Sequence, residues 1–280
     1  MAERPVLVTG AAGRLGHAVV RLADRATPVI GLAGPRADAA VRSLDVADAE
    51  AVMAAVGQIR PRAIIHLAAM VGGACSADPD RASAVNVQGT ANVAAAARAH
   101  GVERMVFLST AAVYGDQRRR PVAEHDPVNP VGSYATTKLD AEGVLAESGV
   151  PADALRVFNI YGPGMRDSLV NRLLSGGVDE VALNGLDGFV RDYIHVDDVA
   201  RAVLRSAGAT EPAFRVLNIG SGIARSNREL LATLPADRLA PVSIGPEVDS
   251  YSCADITRAR HELGWSAVEP WPPAGFSPEQ

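Results

Sequence analysis

Short apolar runs alternate with helical stretches along the first half of the chain, and this alternation constrains the fold more than any other feature. The runs are rich in valine, isoleucine and leucine, as expected for strands buried on both faces of a sheet. Strands that alternate with helices predict a parallel sheet joined by right-handed crossovers, hence an α/β doubly wound fold. The predicted strands span 5–9, 28–32, 63–68, 104–109 and 154–158, and the predicted helices span 15–25, 48–59, 82–100 and 134–148.

Three glycines, Gly10, Gly13 and Gly16, fall between the first predicted strand and the first predicted helix. Glycines in that position let the backbone turn tightly and approach a pyrophosphate, while the helix N-terminus offers amide donors and a favourable dipole. The spacing is GxxGxxG rather than GxGxxG. The loop predicts dinucleotide binding within a Rossmann-type fold.

The pattern loosens beyond about residue 159, where glycine and proline become frequent and strand signals are isolated. We predict a dinucleotide-binding Rossmann domain over residues 1–158 and a smaller substrate-binding lobe over 159–280. Two segments of this lobe, about 189–206 and 214–220, are predicted to return to the main domain.

Net charge, cysteine content and hydropathy exclude several classes of partner and site. The net charge of −5 gives no reason to expect nucleic-acid or membrane partners. The two cysteines, Cys75 and Cys253, define neither a disulfide framework nor a metal-ligand spacing. The N-terminus has no leader pattern, and no apolar stretch is long enough to span a membrane. We expect a cytoplasmic protein.

The segment that follows the second predicted strand bears on the choice of cofactor. An acid about twenty residues beyond the glycine loop would bind the ribose 2′-hydroxyl of NAD. Residues 32–36 contain no acid but end in Arg36, which would suit the 2′-phosphate of NADP, and Arg14 is a second candidate; Asp38 comes only slightly later. The sequence therefore predicts NAD or NADP, and favours NADP.

Lys138 is the only lysine in the chain, beside 26 arginines. Arginine replaces lysine on most surfaces, but not where a compact ammonium or a tunable pKa is needed. Tyr134 lies four residues earlier, on the same face of a predicted helix. A nearby ammonium favours the phenolate, so we expect the pKa of Tyr134 to be lowered towards neutrality, which suits proton transfer coupled to hydride transfer.

These motifs and several others resemble the extended short-chain dehydrogenase/reductase family, in particular its nucleotide-sugar epimerases, dehydratases and ketoreductases. The resemblance covers almost the whole chain. The matching segments are Val8–Gly13, Asp45–Val46, His66–Ala69, Asn86–Asn92, Ser109–Gly115, Tyr134–Lys138, Arg156–Pro163, Arg191–Asp198, Asn218–Gly222 and Ala259–Trp265.

The resemblance implies roles for individual residues. Thr110, Tyr134 and Lys138 would be catalytic, with Thr110 bonding the reacting oxygen. Substrate would contact Val71, Gly72, Thr110, Tyr134, Asn159 and Arg191, the last pairing with a diphosphate. The cofactor would contact Gly10, Ala12, Gly13, Arg14, Leu15, Gly16, Arg36, Asp45, Val46, Leu67, Ala68, Ala69, Asn86, Ser109, Tyr134, Lys138 and Phe158. The family often dimerises through the two long helices that here begin near Ala82 and Tyr134, so a homodimer is expected.

Histidines are not assigned to the chemistry. For both His66 and His195 a structural role is predicted. Since no ligand cluster accompanies them in the sequence, no metal is expected.

Two departures from the family pattern narrow the reaction. Sugar 4,6-dehydratases of the family carry Asp-Glu after the catalytic threonine, but Ala111 and Ala112 stand here, and neither can transfer a proton.

The leading hypothesis is an NAD(P)-dependent epimerase of a nucleotide-diphosphate sugar. The alternatives are an NADPH-dependent ketoreductase of a nucleotide-linked keto-deoxysugar, and a dehydrogenase or reductase of a non-nucleotide substrate such as a sugar acid. The chain is shorter than typical 4-epimerases of the family, so its sugar pocket is expected to be reduced or rearranged.

Overall fold

The computed structural model describes residues 3–23, 28–34, 42–116, 119–175, 179–211 and 213–272. The strands are β1 (Val6–Thr9), β2 (Val29–Leu32), β3 (Ala63–His66), β4 (Arg104–Thr110), β5 (Ala152–Val157), β6 (Asn159–Tyr161), β7 (Val181–Leu183), β8 (Phe189–His195), β9 (Arg215–Ile219), β10 (Ala224–Ser226), β11 (Val242–Ile244) and β12 (Ser250–Ser252). The helices are α1 (Arg14–Leu22), α2 (Ala49–Ile59), α3 (Gly73–Ala77), α4 (Pro79–Ser83), α5 (Gly89–Ala99), α6 (Gly132–Glu147), α7 (Leu169–Leu173), α8 (Val196–Ala207), α9 (Asn227–Thr233) and α10 (Thr257–Leu263). No helix within these described ranges is long and apolar enough to cross a bilayer.

Two compact units make up the chain. Unit 1 comprises residues 1–115, 128–156 and 200–217, and unit 2 comprises residues 116–127, 157–199 and 218–280.

Unit 1 is built on a six-stranded sheet with the order β2-β1-β3-β4-β5-β9. The pairs β1–β2, β1–β3 and β3–β4 are parallel, with Val6 opposite both Val29 and Ala63. Side chains alternate between the two faces of each strand. Leu7, Ile64 and Phe107 belong to one buried cluster together with apolar residues of α2, α5 and α6. The predicted Rossmann-type parallel α/β sheet is confirmed.

The predicted helix over 82–100 is divided in the structure. Helix α4 begins at Pro79, where the Asp78 side chain accepts a hydrogen bond from the Arg81 amide. A π-helical turn over Ala84–Gln88 then leads into α5. The wider turn carries Asn86, a buried polar residue. Turns of this kind are frequent at functional sites.

Unit 2 is organised around β8. This strand pairs in parallel with β6 and β12 and antiparallel with β10, while β7 and β11 form a separate parallel pair. Its apolar cluster includes Tyr161, Leu173, Leu183 and Leu230.

The unit boundaries differ from the sequence prediction, which placed residues 1–158 in the first domain, whereas residues 116–127 and 157–158 belong to unit 2. Residues 116–127, predicted within the first domain, belong to unit 2, because the Val122 amide donates to the Cys253 carbonyl and the Asn218 side chain donates to the Val122 carbonyl. The sequence predicted that segments 189–206 and 214–220 return to the first domain. In the structure the returning segment is 200–217. Strand β8 stays in unit 2 because it pairs with β6, β10 and β12.

Candidate active site

The glycine loop of unit 1 has the geometry that a pyrophosphate requires. Gly10 has a φ of +71°, and a Cβ there would lie 2.7 Å from the Ala68 backbone nitrogen. A Cβ at Gly16 would lie 2.6 Å from the carbonyl oxygens of Gly10 and Ala11. Only glycine therefore fits either position without displacing backbone.

The same loop leaves the start of α1 open to a ligand. Gly13 is the N-cap of α1, and no side chain of the described residues caps this end. Ala12, Gly13 and Arg14 are exposed, while Leu15 is buried in the core of unit 1. The helix therefore presents first-turn amides and its positive dipole end at the loop, so these residues fit a dinucleotide.

Thr110, Tyr134 and Lys138 meet at the carboxyl end of β4. Thr110 is the last residue of β4, and its Oγ1 accepts a hydrogen bond from the Ala112 amide. Its side chain is also hydrogen-bonded to that of Tyr134, on the first turn of α6. Lys138 lies one turn further along α6, and its Nζ donates to the Leu108 carbonyl at 2.8 Å. The strand and the helix thus bring the three predicted catalytic residues together.

The electrostatics of Tyr134 differ from the sequence prediction. Burial raises the pKa of Tyr134, and the hydrogen bond from Thr110 offsets only part of that rise. Lys138 does not contribute to this balance, so the predicted lowering of the Tyr134 pKa is wrong; the Lys138 ammonium donates instead to a backbone carbonyl of β4. Burial also lowers the pKa of Lys138 to about 8, against the opposing influence of Cys75 and Glu142.

His66 lies in a directional chain of hydrogen bonds behind the glycine loop. Its Nδ1 is 2.7 Å from Thr9 Oγ1, and its Nε2 is 3.2 Å from Thr90 Oγ1. Thr90 donates its own proton to the Asn86 carbonyl, so His66 Nε2 must be the donor to Thr90 and Nδ1 the acceptor from Thr9. Burial, reinforced by the charge of Lys138, lowers the pKa of His66 to about 3. His66 is therefore a neutral, fixed tautomer.

Asn86 connects the loop after β3 to the catalytic helix. Its Oδ1 accepts from the Met70 amide at 2.8 Å, and its Nδ2 donates to the Met70 carbonyl and to Thr137 Oγ1. Thr137 immediately precedes Lys138. Asn86 thereby holds two backbone segments of the predicted cofactor site in register.

The other predicted cofactor residues of unit 1 lie along the carboxyl edge of the sheet. The Leu67 and Ala68 amides donate to Thr9, and Ala69 is half-buried next to them. Ser109 is buried beside Thr110.

Asp45 and Val46 follow the second strand and its connection. Asp45 accepts from Arg81 at 2.6 Å; burial raises its pKa, but Arg81 and the Ala47 amide outweigh burial and lower it. Val46 is buried, and its carbonyl accepts from Asn92. The predicted cofactor residue Arg36 lies outside the described residues.

Predicted substrate residues are found in both units. Val71 of unit 1 is 59% exposed on the loop before α3, and Gly72 has a φ of +57° with open space around its Cα. In unit 2, the Phe158 amide pairs with the Ile219 carbonyl, and Asn159 Nδ2 donates to the Asp192 carbonyl at 2.9 Å.

Arg191 is held in a fixed orientation within unit 2. Its Nη1 donates to the carbonyls of Val190 and Ser250, and its Nη2 donates to Ser250 Oγ, while the guanidinium lies 3.7 Å from the centre of the Phe189 ring. Three of its five N–H groups are used in this way, so among the described residues Nε and one Nη2 proton remain for a ligand. Burial lowers the pKa of Arg191 from its ordinary value.

A pocket of about 370 Å³ in unit 2 brings Asn159 and Arg191 together. Arg172, Ala182 and Asn227 also line it. Asn227 donates to the Gly185 carbonyl at 2.9 Å, and its buried Oδ1 has no partner among the described residues.

Sequence reasoning missed two buried residues, Glu142 on α6 and Arg156 on β5. Glu142 accepts from Ser109 Oγ at 2.5 Å and forms a two-pronged pair with Arg156, whose Nη2 lies 2.7 Å from Oε2. The position of Glu142, four residues after Lys138, was the available signal. Its partners, however, are set only by the packing of β4, β5 and α6.

His195 has acidic neighbours that the sequence did not indicate. Ligand atoms of His195, Asp197 and Glu269 lie within 4.8 Å of one another. The Nδ1 atom of His195 already accepts from the Asp197 amide, and Nε2 faces Gly162. The hydrogen bond from the Asp197 amide to His195 joins the end of β8 to the first turn of α8. We assign no metal site to these residues.

Comparison with known proteins agrees with this geometry. Residues 6–220 match the model of the NAD dependent epimerase/dehydratase family. The UDP-glucose 4-epimerase of Mycolicibacterium smegmatis is 33% identical over 294 aligned positions, which cover 92% of this chain and 92% of that protein. The dTDP-L-rhamnose 4-epimerase of Burkholderia thailandensis is 31% identical over 94% of this chain and 90% of its own length.

Similarity extends to solved structures. The UDP-glucose-4-epimerase from Stenotrophomonas maltophila, solved with bound NAD and formylated UDP-arabinopyranose, matches with a TM-score of 0.85 at 29% identity, covering 96% of this chain and 94% of that chain. The chain is therefore an enzyme of the extended short-chain dehydrogenase/reductase type, and it belongs to the NAD dependent epimerase/dehydratase family.

Proposed function

We propose that the chain is an NAD(P)-dependent epimerase of a nucleotide-diphosphate sugar, which removes hydride from a sugar carbon and returns it to the opposite face through a keto sugar. The observation that carries this proposal is the grouping of Thr110, Tyr134 and Lys138 in the unit that holds the glycine loop. It is supported by relatives that are named 4-epimerases of UDP-glucose and dTDP-L-rhamnose, and by the neighbour solved with NAD and a UDP-sugar.

The chemistry assigned to this group is proton transfer at a sugar hydroxyl. Tyr134 takes the proton as the alcohol becomes a ketone and gives it back on reduction, and Thr110 donates a hydrogen bond to the same oxygen. Because burial raises the pKa of Tyr134, its phenolate needs a nearby positive charge, and we assign that role to Lys138, one turn further along α6. When bound, the nicotinamide supplies the hydride acceptor and donor.

Recognition of the diphosphate is assigned to Arg191, with Asn159 beside it. A planar guanidinium held by Ser250 and Phe189 suits a diphosphate, because its remaining N–H donors are already oriented. The 370 Å³ pocket is within the range of small-molecule sites. A neutral substrate such as a small ketone would not need this cation.

The cofactor that we favour within NAD(P) is NADP, because residues 32–36 provide no acid for a ribose 2′-hydroxyl. Steady-state KM values for NADPH and NADH test this choice. A strong preference for NADH would remove Arg36 and Arg14 from cofactor discrimination.

A ketoreductase of a nucleotide-linked keto-deoxysugar is the second candidate. The missing acid after β2 favours it, since NADPH is the usual reductant for net reduction. Dehydration at carbons 4 and 6 is disfavoured, because Ala111 is buried and Ala112 exposed without a proton-transferring group at either position.

A panel of UDP-, GDP-, CDP- and dTDP-sugars separates the two candidates. Each sugar is incubated with catalytic or stoichiometric NAD(P)H, and product formation by NMR is compared with the loss of NADPH absorbance. Epimerisation gives a new sugar without net consumption of cofactor, and reduction consumes it in proportion to product. Absence of any product across the panel would count against a nucleotide-sugar substrate. Light scattering on the same samples tests the expected homodimer.

A further inference from the structure

Lys138 is a buried ammonium whose direct contacts among the described residues carry no negative charge. The residue is 2% exposed, its Nζ donates to the Leu108 carbonyl, and the centre of the Phe107 ring lies 4.5 Å from Nζ. Transfer of an ammonium out of water favours loss of its proton. Some other group must therefore favour the charged form if Lys138 is to act on Tyr134.

Glu142 lies one helical turn after Lys138, at the spacing that puts two side chains on the same face. It is 4% exposed, and its carboxylate is fixed from two directions. Ser109 donates to Oε1 at 2.5 Å, while Arg156 donates through Nε to Oε1 at 3.0 Å and through Nη2 to Oε2 at 2.7 Å. The ion pair with Arg156 therefore holds the Glu142 carboxylate at a set place, one helical turn from Lys138.

The other titratable groups around the catalytic residues do not supply this charge. On β3, His66 is neutral, with a pKa of about 3. On α3, burial raises the pKa of the Cys75 thiol, and on α6 burial raises the pKa of Tyr134, so both remain protonated at neutral pH. Cys75 and Glu142 are the two described residues that oppose the lowering of the Lys138 pKa, and of these only Glu142 is a carboxylate.

We propose that Glu142 is a positioning residue that keeps Lys138 cationic, and that Ser109 and Arg156 hold its carboxylate in place. The inference rests on the proposed function only in that Lys138 is taken to assist Tyr134 in catalysis. The charge relation itself is a property of the protein alone, so it can be measured without a substrate.

The single lysine makes a direct measurement possible. Protein grown on lysine labelled with ¹³C at the ε carbon gives one lysine signal, and its chemical shift against pH reports the pKa of Lys138. The native midpoint is expected at about 8. Glu142→Gln, which keeps the shape and loses the charge, should lower the midpoint by about one pH unit, whereas Glu142→Asp should retain most of the native value.

Asp140→Asn provides the matched control, because Asp140 is an exposed acid on the same helix, two residues from Lys138. Its midpoint should stay within about 0.2 of native, since solvent screens exposed charges. Once a substrate is known, the turnover of Glu142→Gln should begin to fall with rising pH about one pH unit earlier than that of the native enzyme.

Glu142→Gln leaves Arg156 buried without a counter-charge and can fail to fold. The double variant Glu142→Leu/Arg156→Leu removes both charges and avoids that penalty. It should also lower the Lys138 midpoint, because Glu142 and not Arg156 acts on Lys138. A folded variant of either kind with the native midpoint would overturn the proposal, even if the enzyme proved to act on another substrate.

Discussion

The buried histidine behind the glycine loop predicts a specific sensitivity of the fold to acid. His66 is 1% exposed, and its pKa is lowered from 6.5 to about 3 by burial, with Lys138 adding to the effect. Unfolded chains take up a proton on this histidine near pH 6.5, whereas the folded chain does not until about pH 3. Between these limits the unfolded state binds more protons, so the free energy of unfolding falls as the pH falls.

The magnitude follows from the size of the shift. Each pH unit below 6.5 costs about 1.4 kcal/mol, so the contribution of His66 between pH 6.5 and pH 5 is about 2 kcal/mol. Carboxylates whose pKa is lowered in the folded state, such as Asp45 and Asp153, also lose their contribution in acid. The effect of His66 must therefore be isolated by a variant.

His66→Gln is that variant, because glutamine does not titrate and retains a donor for Thr90. Urea unfolding at pH 7, 6 and 5 should give a smaller loss of stability in His66→Gln than in the native chain, by about 2 kcal/mol over the range. Circular dichroism is the suitable signal, since Trp265 and Trp271 both lie in unit 2 and would not report on unit 1. His17→Gln, exposed on α1, is the control that should retain the native pH dependence. Identical pH dependence in His66→Gln and native protein would refute the neutral, buried histidine.

The remaining predictions concern the site and the core. Tyr134→Phe should abolish turnover while NADPH binding, followed by fluorescence, stays within about twofold of native, and near-normal turnover would remove Tyr134 from the mechanism. Arg191→Ala should raise the KM of a nucleotide sugar by about 10- to 100-fold through loss of a charge-assisted pair, with little change in the KM of the cofactor. Equal effects on both constants would argue that no diphosphate binds there. Gly16→Ala should weaken NADPH binding more than tenfold, because its Cβ would lie 2.6 Å from the Gly10 and Ala11 carbonyls. Asp153→Asn should destabilise unit 1 by about 3–5 kcal/mol in urea unfolding, because it leaves Arg104 and Arg215 buried without their shared carboxylate.

The amino-acid sequence by itself determined the α/β class and the local parts of the candidate site. The strand–glycine–helix pattern around Gly10 and Gly16 depends on neighbours in the chain, and so does the pairing of Tyr134 with Lys138 across one helical turn. Local periodicity and turn chemistry are sufficient for such features. These are the features for which residues close in sequence carry enough information.

Tertiary structure alone decided the charge states and the partners that lie far apart in sequence. The sequence predicted a lowered pKa for Tyr134, but burial raises it, because desolvation depends on every element packed around the group. The chain through His66 to Asn86 and the carboxylate of Glu142 fixed by Arg156 likewise exist only once the sheet has formed. The lone lysine is thus a catalytic candidate from sequence, but whether it carries its charge is settled by the buried groups that the fold brings to it.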